Sequence, residues 1–178
     1  MRSSLFVSAL AVATVLTLAP RGLHAQAPSD PQIAGVVQTA NKIDIDTAHI
    51  ALQKSKDAQV KEFANQMIAD HTSLEKSVAD LAKKLNVTPQ DSDISKQLKQ
   101  GAADEAKKLK SLSGKAFDQE YVSHEVAYHQ AVIDAATKTL IPNAQNAELK
   151  SALQGAAPLL QGHLEHAQHL QQSLQGAQ

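Results

Sequence analysis

Apolar residues recur at steps of three and four along several long stretches of the chain, and this spacing constrains the fold more than any other feature. The most regular stretch covers residues 57–85. Its apolar stripe contains Val60, Ala64, Met67, His71, Leu74, Val78, Leu81 and Leu85. Such steps place side chains on one face of an α-helix, so the stretch predicts a helix with one buried side. Asn86 follows and suits the left-handed position that often closes a helix.

The same spacing predicts four further helices, over about residues 31–55, 92–112, 115–140 and 147–174. The segment 92–112 is the shorter one. Pro158 lies inside the last segment and predicts either a kink or two abutting helices there. Long helices joined by short turns indicate an all-α fold, an antiparallel four-helix bundle with one short extra helix.

The composition agrees with a helical domain and excludes several classes of protein. The chain has 178 residues, of which 43% are hydrophobic and only 3% aromatic, and its formal net charge is −1. Neither nucleic-acid binding nor attraction to anionic lipid follows from such a charge. There is no cysteine, which excludes disulfides, thiol catalysis and lipid attachment at a cysteine. A monomer and a dimer are both compatible with the sequence, which points to no protein partner.

The first 27 residues resemble a signal peptide. Arg2 supplies the positive start, residues 5–19 form an apolar core, and Ala25-Gln26-Ala27 fits the cleavage pattern. We therefore expect the mature chain to begin at Pro28, with one domain over residues 28–178 and a periplasmic or secreted location. The alternative is an uncleaved anchor, but the apolar run falls short of the ~20 residues that a span needs. No membrane span is expected after cleavage.

Five side chains that can bind metal interrupt the apolar stripes near the middle of the four long helices. They are Asp44, His71, Glu125, His129 and His163. Because a helix rises about 1.5 Å per residue and the midpoints of antiparallel helices stay level, we expect these residues to share one layer. Glu125 precedes His129 by four residues, so their side chains converge on the same face.

Imidazole and carboxylate together suit one transition-metal ion, either Fe, Zn, Cu, Ni or Mn, and not a purely oxygen-ligated Mg²⁺ site. An alternative is a structural or interaction module, in which the same residues form a hydrogen-bonded polar layer. A redox enzyme is a third possibility, but it needs an open coordination position and a substrate path. No catalytic constellation is readable, so the sequence does not favour an enzyme.

Other polar residues have secondary roles in this interpretation. Asp70 and Asp118 are expected to accept hydrogen bonds from imidazole N–H groups or to be solvated neighbours. His166 and His169 are expected to be mostly exposed, where they could form a loose surface site for Ni or Cu with His163.

Several motifs resemble those of domain-of-unknown-function family 4142, DUF 4142. The strongest are Met67-x-x-Asp70-His71 and Phe117-Asp118-x-x-Tyr121, and the resemblance spans about residues 33–170. It implies a ferritin-like fold and an exported bacterial protein, often labelled a predicted outer-membrane protein. It maps the family's histidines onto His71, His129 and His163, and its usual first-helix glutamate onto Asp44.

The chain departs from this pattern at Glu125, where the family more often has another residue. It also lacks the Glu-x-x-His motifs of di-iron ferritins. Three histidines with one or two carboxylates therefore favour a single metal ion over a carboxylate-bridged pair.

Overall fold

Two pairs of long helices form the body of the protein, in a computed structural model that describes residues 27–176. The helices are α1 Asp30–Lys54, α2 Ala58–Lys84, α3 Asp93–Ser111, α4 Gly114–Ala135, α5 Ile141–Asn143 and α6 Ala147–Gly176, with a π-helical turn Ala136–Leu140 between α4 and α5. α1 packs on α2 and α4 packs on α6, while α3 lies mainly against α1. Since only three residues join α1 to α2, these two helices run in opposite directions.

The prediction of an all-helical bundle is confirmed, and local chemistry explains where the helices begin and end. The Asp57 side chain accepts hydrogen bonds from the Gln59 and Val60 amides at the start of α2. Ser29 and Gln32 form a capping box at the start of α1. Asn86 has a φ of 53°, as expected for a left-handed closing residue.

Two features of the helices differ from the simplest expectation. Residues 136–140 continue α4 as a π-helical turn, in which the Ile141 amide donates to the Ala136 carbonyl five residues earlier. Pro142 follows and has no amide hydrogen to donate, and the helical turn α5 ends where the Ala144 amide donates to the Leu140 carbonyl at 2.9 Å. Pro158, in contrast, lies within one continuous helix, α6. The predicted alternative of two abutting helices at Pro158 is therefore wrong.

The interior contains two apolar clusters. One includes Phe63, Met67, Phe117 and Tyr121 and fills the half of the bundle near the α1–α2 turn. The other occupies the opposite half and consists of Ile33, Val36, Leu140, Ala144, Leu149 and Leu153. Apart from Asp118, which lies within the first cluster, the buried polar residues of the four long helices fall between these clusters along the chain. A polar layer thus separates two apolar cores.

The predicted signal peptide, residues 1–27, lies outside the described residues except for Ala27. Within residues 27–176, no helix combines the length and apolar character that crossing a membrane requires.

Candidate metal centre

Three imidazole rings meet in the polar layer, one each from α2, α4 and α6. Ring centroids are 5.7 Å apart for His71 and His129, 5.2 Å for His71 and His163, and 5.3 Å for His129 and His163. Each histidine is only 1% exposed. The spacing of three and four along the apolar stripes of three separate helices therefore does place these residues at one height in the bundle, as expected.

Each ring is oriented by one nitrogen that contacts an oxygen acceptor. His71 Nδ1 donates to Asn41 Oδ1 at 2.9 Å, and His129 Nδ1 donates to the Glu125 backbone carbonyl at 3.0 Å. His163 Nε2 donates to Asp70 Oδ2 at 2.9 Å. A carbonyl or carboxylate oxygen cannot donate, so the proton must lie on the ring nitrogen that faces it.

The opposite nitrogen of each ring therefore presents a lone pair in the neutral form. These atoms are His71 Nε2, His129 Nε2 and His163 Nδ1, and all three are buried without a hydrogen-bond partner. The three residues offer ligand atoms that lie within 4.8 Å of one another. A ring fixed through one nitrogen while the other points at a shared space is the arrangement that metal-binding histidines adopt.

Two carboxyl groups lie beside these imidazole rings, Asp44 next to the free nitrogen of His71 and Glu125 next to the hydrogen-bonded nitrogen of His129. Asp44 Oδ2 lies 3.6 Å from His71 Nε2, and Glu125 Oε2 lies 3.4 Å from His129 Nδ1. Asp44, Glu125 and His129 form a second group of ligand atoms within 4.8 Å of one another. All five residues singled out in the sequence thus lie together, and their role as metal ligands stays a prediction.

Burial keeps the charged forms of these groups unfavourable. Removal from water raises the pKa of Glu125 to about 8 and raises the pKa of Asp44 well above its ordinary value, with the Glu125 charge adding to the effect on Asp44. Burial, followed by the charges of His129 and His163, lowers the pKa of His71 to about 3. The His71 ring is therefore neutral at physiological pH, which is the form that binds a metal ion.

Two neighbours of the centre were missed by the sequence analysis. Asn41 orients His71, and its position three residues before Asp44 on the same helix was the available signal. The buried Tyr121 hydroxyl interacts with the Glu125 carboxyl group, and burial, followed by the Glu125 charge, raises the Tyr121 pKa well above its ordinary value. Tyr121 lies four residues before Glu125, so helical spacing could have placed it here.

Three other expectations have mixed outcomes. Asp70 does accept from an imidazole, as predicted. Asp118 does not: it interacts with Ser55, near the α1–α2 turn. His169 is exposed, but His166 is half-buried, with its ring 5.1 Å from Phe63 and its Nδ1 atom 3.0 Å from Gln66 Oε1. The prediction that His166 is mostly exposed is therefore wrong, because packing on α2 covers it.

The fold and this layer define a helical bundle with a buried cluster of three histidines and two carboxyl groups. The chain belongs to the family described as "Domain of unknown function (DUF4142)", whose model matches residues 17–170. The resemblance drawn from the motifs is thus confirmed. No curated protein sequence matches the chain.

One similar solved structure is described as CopM in the Cu(II)-bound form. It covers 83% of this chain and 99% of its own chain, with a TM-score of 0.62 and 15% sequence identity. At this level of identity the likeness shows a shared helical-bundle fold.

Proposed function

We propose that this protein binds a single transition-metal ion through His71, His129 and His163, with Asp44 and Glu125 available as further ligands. The observation that supports it most is the set of three buried nitrogen lone pairs without partners. Each unpaired buried polar atom costs about 1–3 kcal/mol. A metal ion bound among them would remove this cost at all three nitrogens.

The same observation weighs against a purely structural polar layer. Such a layer would stabilise the bundle only if its members paired with one another. Here the Asp44, Glu125 and Tyr121 side chains do pair with one another, but the three free imidazole nitrogens find no partner among them. Three unsatisfied imidazole nitrogens in one layer are better suited to receive an ion than to join helices.

Copper is the first metal to test, among Fe, Zn, Cu, Ni and Mn. Cu²⁺ binds most tightly of the divalent first-row ions to nitrogen and oxygen ligands. The CopM structure with a similar fold is described as bound to Cu(II), which supports the same choice here. Three imidazoles and a carboxylate are also a common zinc set, so Zn²⁺ is the main competitor.

The physiological role that we propose is metal handling or protection from metal stress in the periplasm or outside the cell. We further propose that the bundle is ferritin-like and that the chain reaches this location through its N-terminal 27 residues. A binding role needs no open coordination position and no substrate, which is why we prefer it to a redox enzyme.

The decisive experiment measures metal binding and its effect on stability. Protein purified without a histidine tag is stripped with EDTA, titrated with Cu²⁺, Zn²⁺, Fe²⁺ and Ni²⁺, and analysed for metal content and thermal unfolding. We expect one ion per chain. At a hundredfold excess of free metal over the dissociation constant, binding adds about 2.7 kcal/mol to the free energy of unfolding.

The variant His71→Ala should lose most of this metal-dependent gain. The double variant His166→Ala/His169→Ala is the matched control, because it removes imidazoles of α6 outside the polar layer and should respond to metal as the wild type does. An equal metal response in the wild type and His71→Ala would contradict the proposed site. If no metal changes either melting curve, the structural module becomes the better interpretation.

A further inference from the structure

An apolar cavity of about 160 Å³ lies beside the histidine cluster, within the half of the bundle formed around Leu140 and Leu149. Its polar end consists of Asn41, Asp44 and His71. The cavity therefore begins at the centre described above and extends away from it between the helices.

The space exists because small side chains face one another across the bundle. Ala40 of α1, Ala135 of α4 and Ala156 of α6 line it. Leucine at such positions would fill the interior to ordinary packing density, whereas alanine leaves room. Both ends of the π-helical turn, Ala136 and Leu140, also contribute to the wall, and π-helical turns recur at functional sites.

The walls are apolar apart from the three residues at the polar end and Ser77. No lysine or arginine of the described residues lines the cavity. Leu74 and Val78 of α2 are only half-buried, and Ala152 of α6 is exposed, so the cavity reaches the surface between α2 and α6. At its inner end, the amide nitrogen of Asn41 is buried and has no acceptor.

We propose that this cavity binds a small, uncharged and largely apolar molecule about the size of benzene, next to His71. Dry apolar cavities of about 150 Å³ take up benzene or xenon, so the volume and the wall chemistry both fit such a ligand. An anion would lose its hydration in this cavity without gaining a counter-charge, because neither lysine nor arginine lines it. The proposal concerns the metal-free protein and does not depend on the ion.

The test uses benzene and benzoate as probes of similar size, titrated into the EDTA-treated protein and followed by NMR. The variant Ala156→Leu fills the cavity. Its matched control is Ala157→Leu, the next residue of α6, which is half-buried and does not line the cavity. We expect benzene to give intermolecular NOEs to Val78 and Leu149 methyl groups and to shift the Asn41 side-chain amide. Ala156→Leu should weaken this binding at least tenfold, while Ala157→Leu should leave it unchanged.

Circular dichroism decides whether each variant is folded. If Ala156→Leu does not fold, Ala135→Val, a smaller change in the same wall, replaces it with the same expectation. The proposal is wrong if benzene does not bind the wild type, if benzoate binds as tightly, or if the filling and control variants bind equally. Because every arm omits metal, failure here would leave the proposed metal site intact, and failure of that site would leave this result intact.

Discussion

At the scale of single residues, the centre depends on how each imidazole is held. Asp70 is the most accessible of the three holding groups, since its side chain is 33% exposed while His163 beside it is 1% exposed. The hydrogen bond from His163 Nε2 to Asp70 directs the other ring nitrogen, Nδ1, into the cluster. The centre thus depends on positioning residues as well as on the three histidines.

Replacing Asp70 with alanine should therefore weaken metal binding by about 10–100-fold without unfolding the protein. The physical reason is that the His163 ring loses both its orientation and its preferred protonated nitrogen. Competition with a chromophoric chelator measures the affinity. Asp80→Ala, at an exposed ion pair on the same helix, is the control and should change nothing. Partial recovery in Asp70→Asn would support an orienting role, and unchanged affinity in Asp70→Ala would contradict it.

Glu125 should make the metal-free protein less stable as the pH rises. Burial raises its folded-state pKa from 4.5 to about 8. Between these values the unfolded chain has released a proton that the folded protein keeps, so stability is lost as the pH rises through this window. Glu125→Gln has no such proton. We expect the difference in free energy of unfolding between Glu125→Gln and the wild type to shift in favour of the variant by about 3 kcal/mol from pH 5 to pH 8.

Urea unfolding in EDTA at several pH values measures this difference. The histidines with lowered pKa values make the protein more stable as the pH rises towards about 6.5. They are present in both proteins, so their contribution cancels in the comparison. Parallel stability curves for the wild type and Glu125→Gln would show that Glu125 ionises at its ordinary pKa in the folded protein.

At the scale of whole elements, close contact between α1 and the loop before α3 needs a glycine. A β-carbon added at Gly35 would lie 2.0 Å from the backbone oxygen of Gln90, and the Gln90 amide donates to the Pro31 carbonyl at 2.9 Å. Neither backbone can move aside without breaking this hydrogen bond. Gly35 therefore allows the loop to pack directly on α1.

Gly35→Ala should destabilise the protein by roughly 1–3 kcal/mol, because the added carbon forces the loop away from α1. Gly101→Ala is the matched control, since Gly101 lies in α3 and a β-carbon there would meet nothing within 4 Å. That substitution should stabilise by about 0.5–1 kcal/mol through helix propensity. Chemical denaturation of the three proteins measures both effects. A stabilising Gly35→Ala would mean that the loop is not held against α1.

At the scale of the whole molecule, a polar layer divides the interior into two apolar cores. One core contains Phe63 and Phe117, and the other contains Ile33 and Leu149. A metal ion held in the layer would join α2, α4 and α6 at the level where neither core joins them. Stability and metal content should consequently change together.

Export is also a property of the whole chain. We expect the mature protein to begin at Pro28 and to be recovered from the periplasm or the medium, because Arg2, the apolar run 5–19 and Ala25-Gln26-Ala27 follow the order of a signal peptide. Mass spectrometry of fractionated cells measures the N-terminus. A dominant form that keeps Met1 in the inner membrane would contradict this expectation.

The sequence by itself determined the helices, which side of each faces inward, and the height of the polar residues. Steps of three and four carry this information, because the α-helix has a fixed rise and turn per residue. That is why the spacing alone assigns His71, His129 and His163 to one layer. The same rule does not say how far apart two helices lie.

Only the tertiary structure decided which atoms meet across that distance. In the folded protein His71 contacts Asn41 and His163 contacts Asp70, whereas Asp118 interacts with Ser55. One nitrogen of each imidazole has no hydrogen-bond partner. The tertiary structure also leaves the alanine-lined cavity beside the centre. These features depend on the separation and rotation of neighbouring helices, which result from packing of the whole core and are not encoded in the spacing of any one helix.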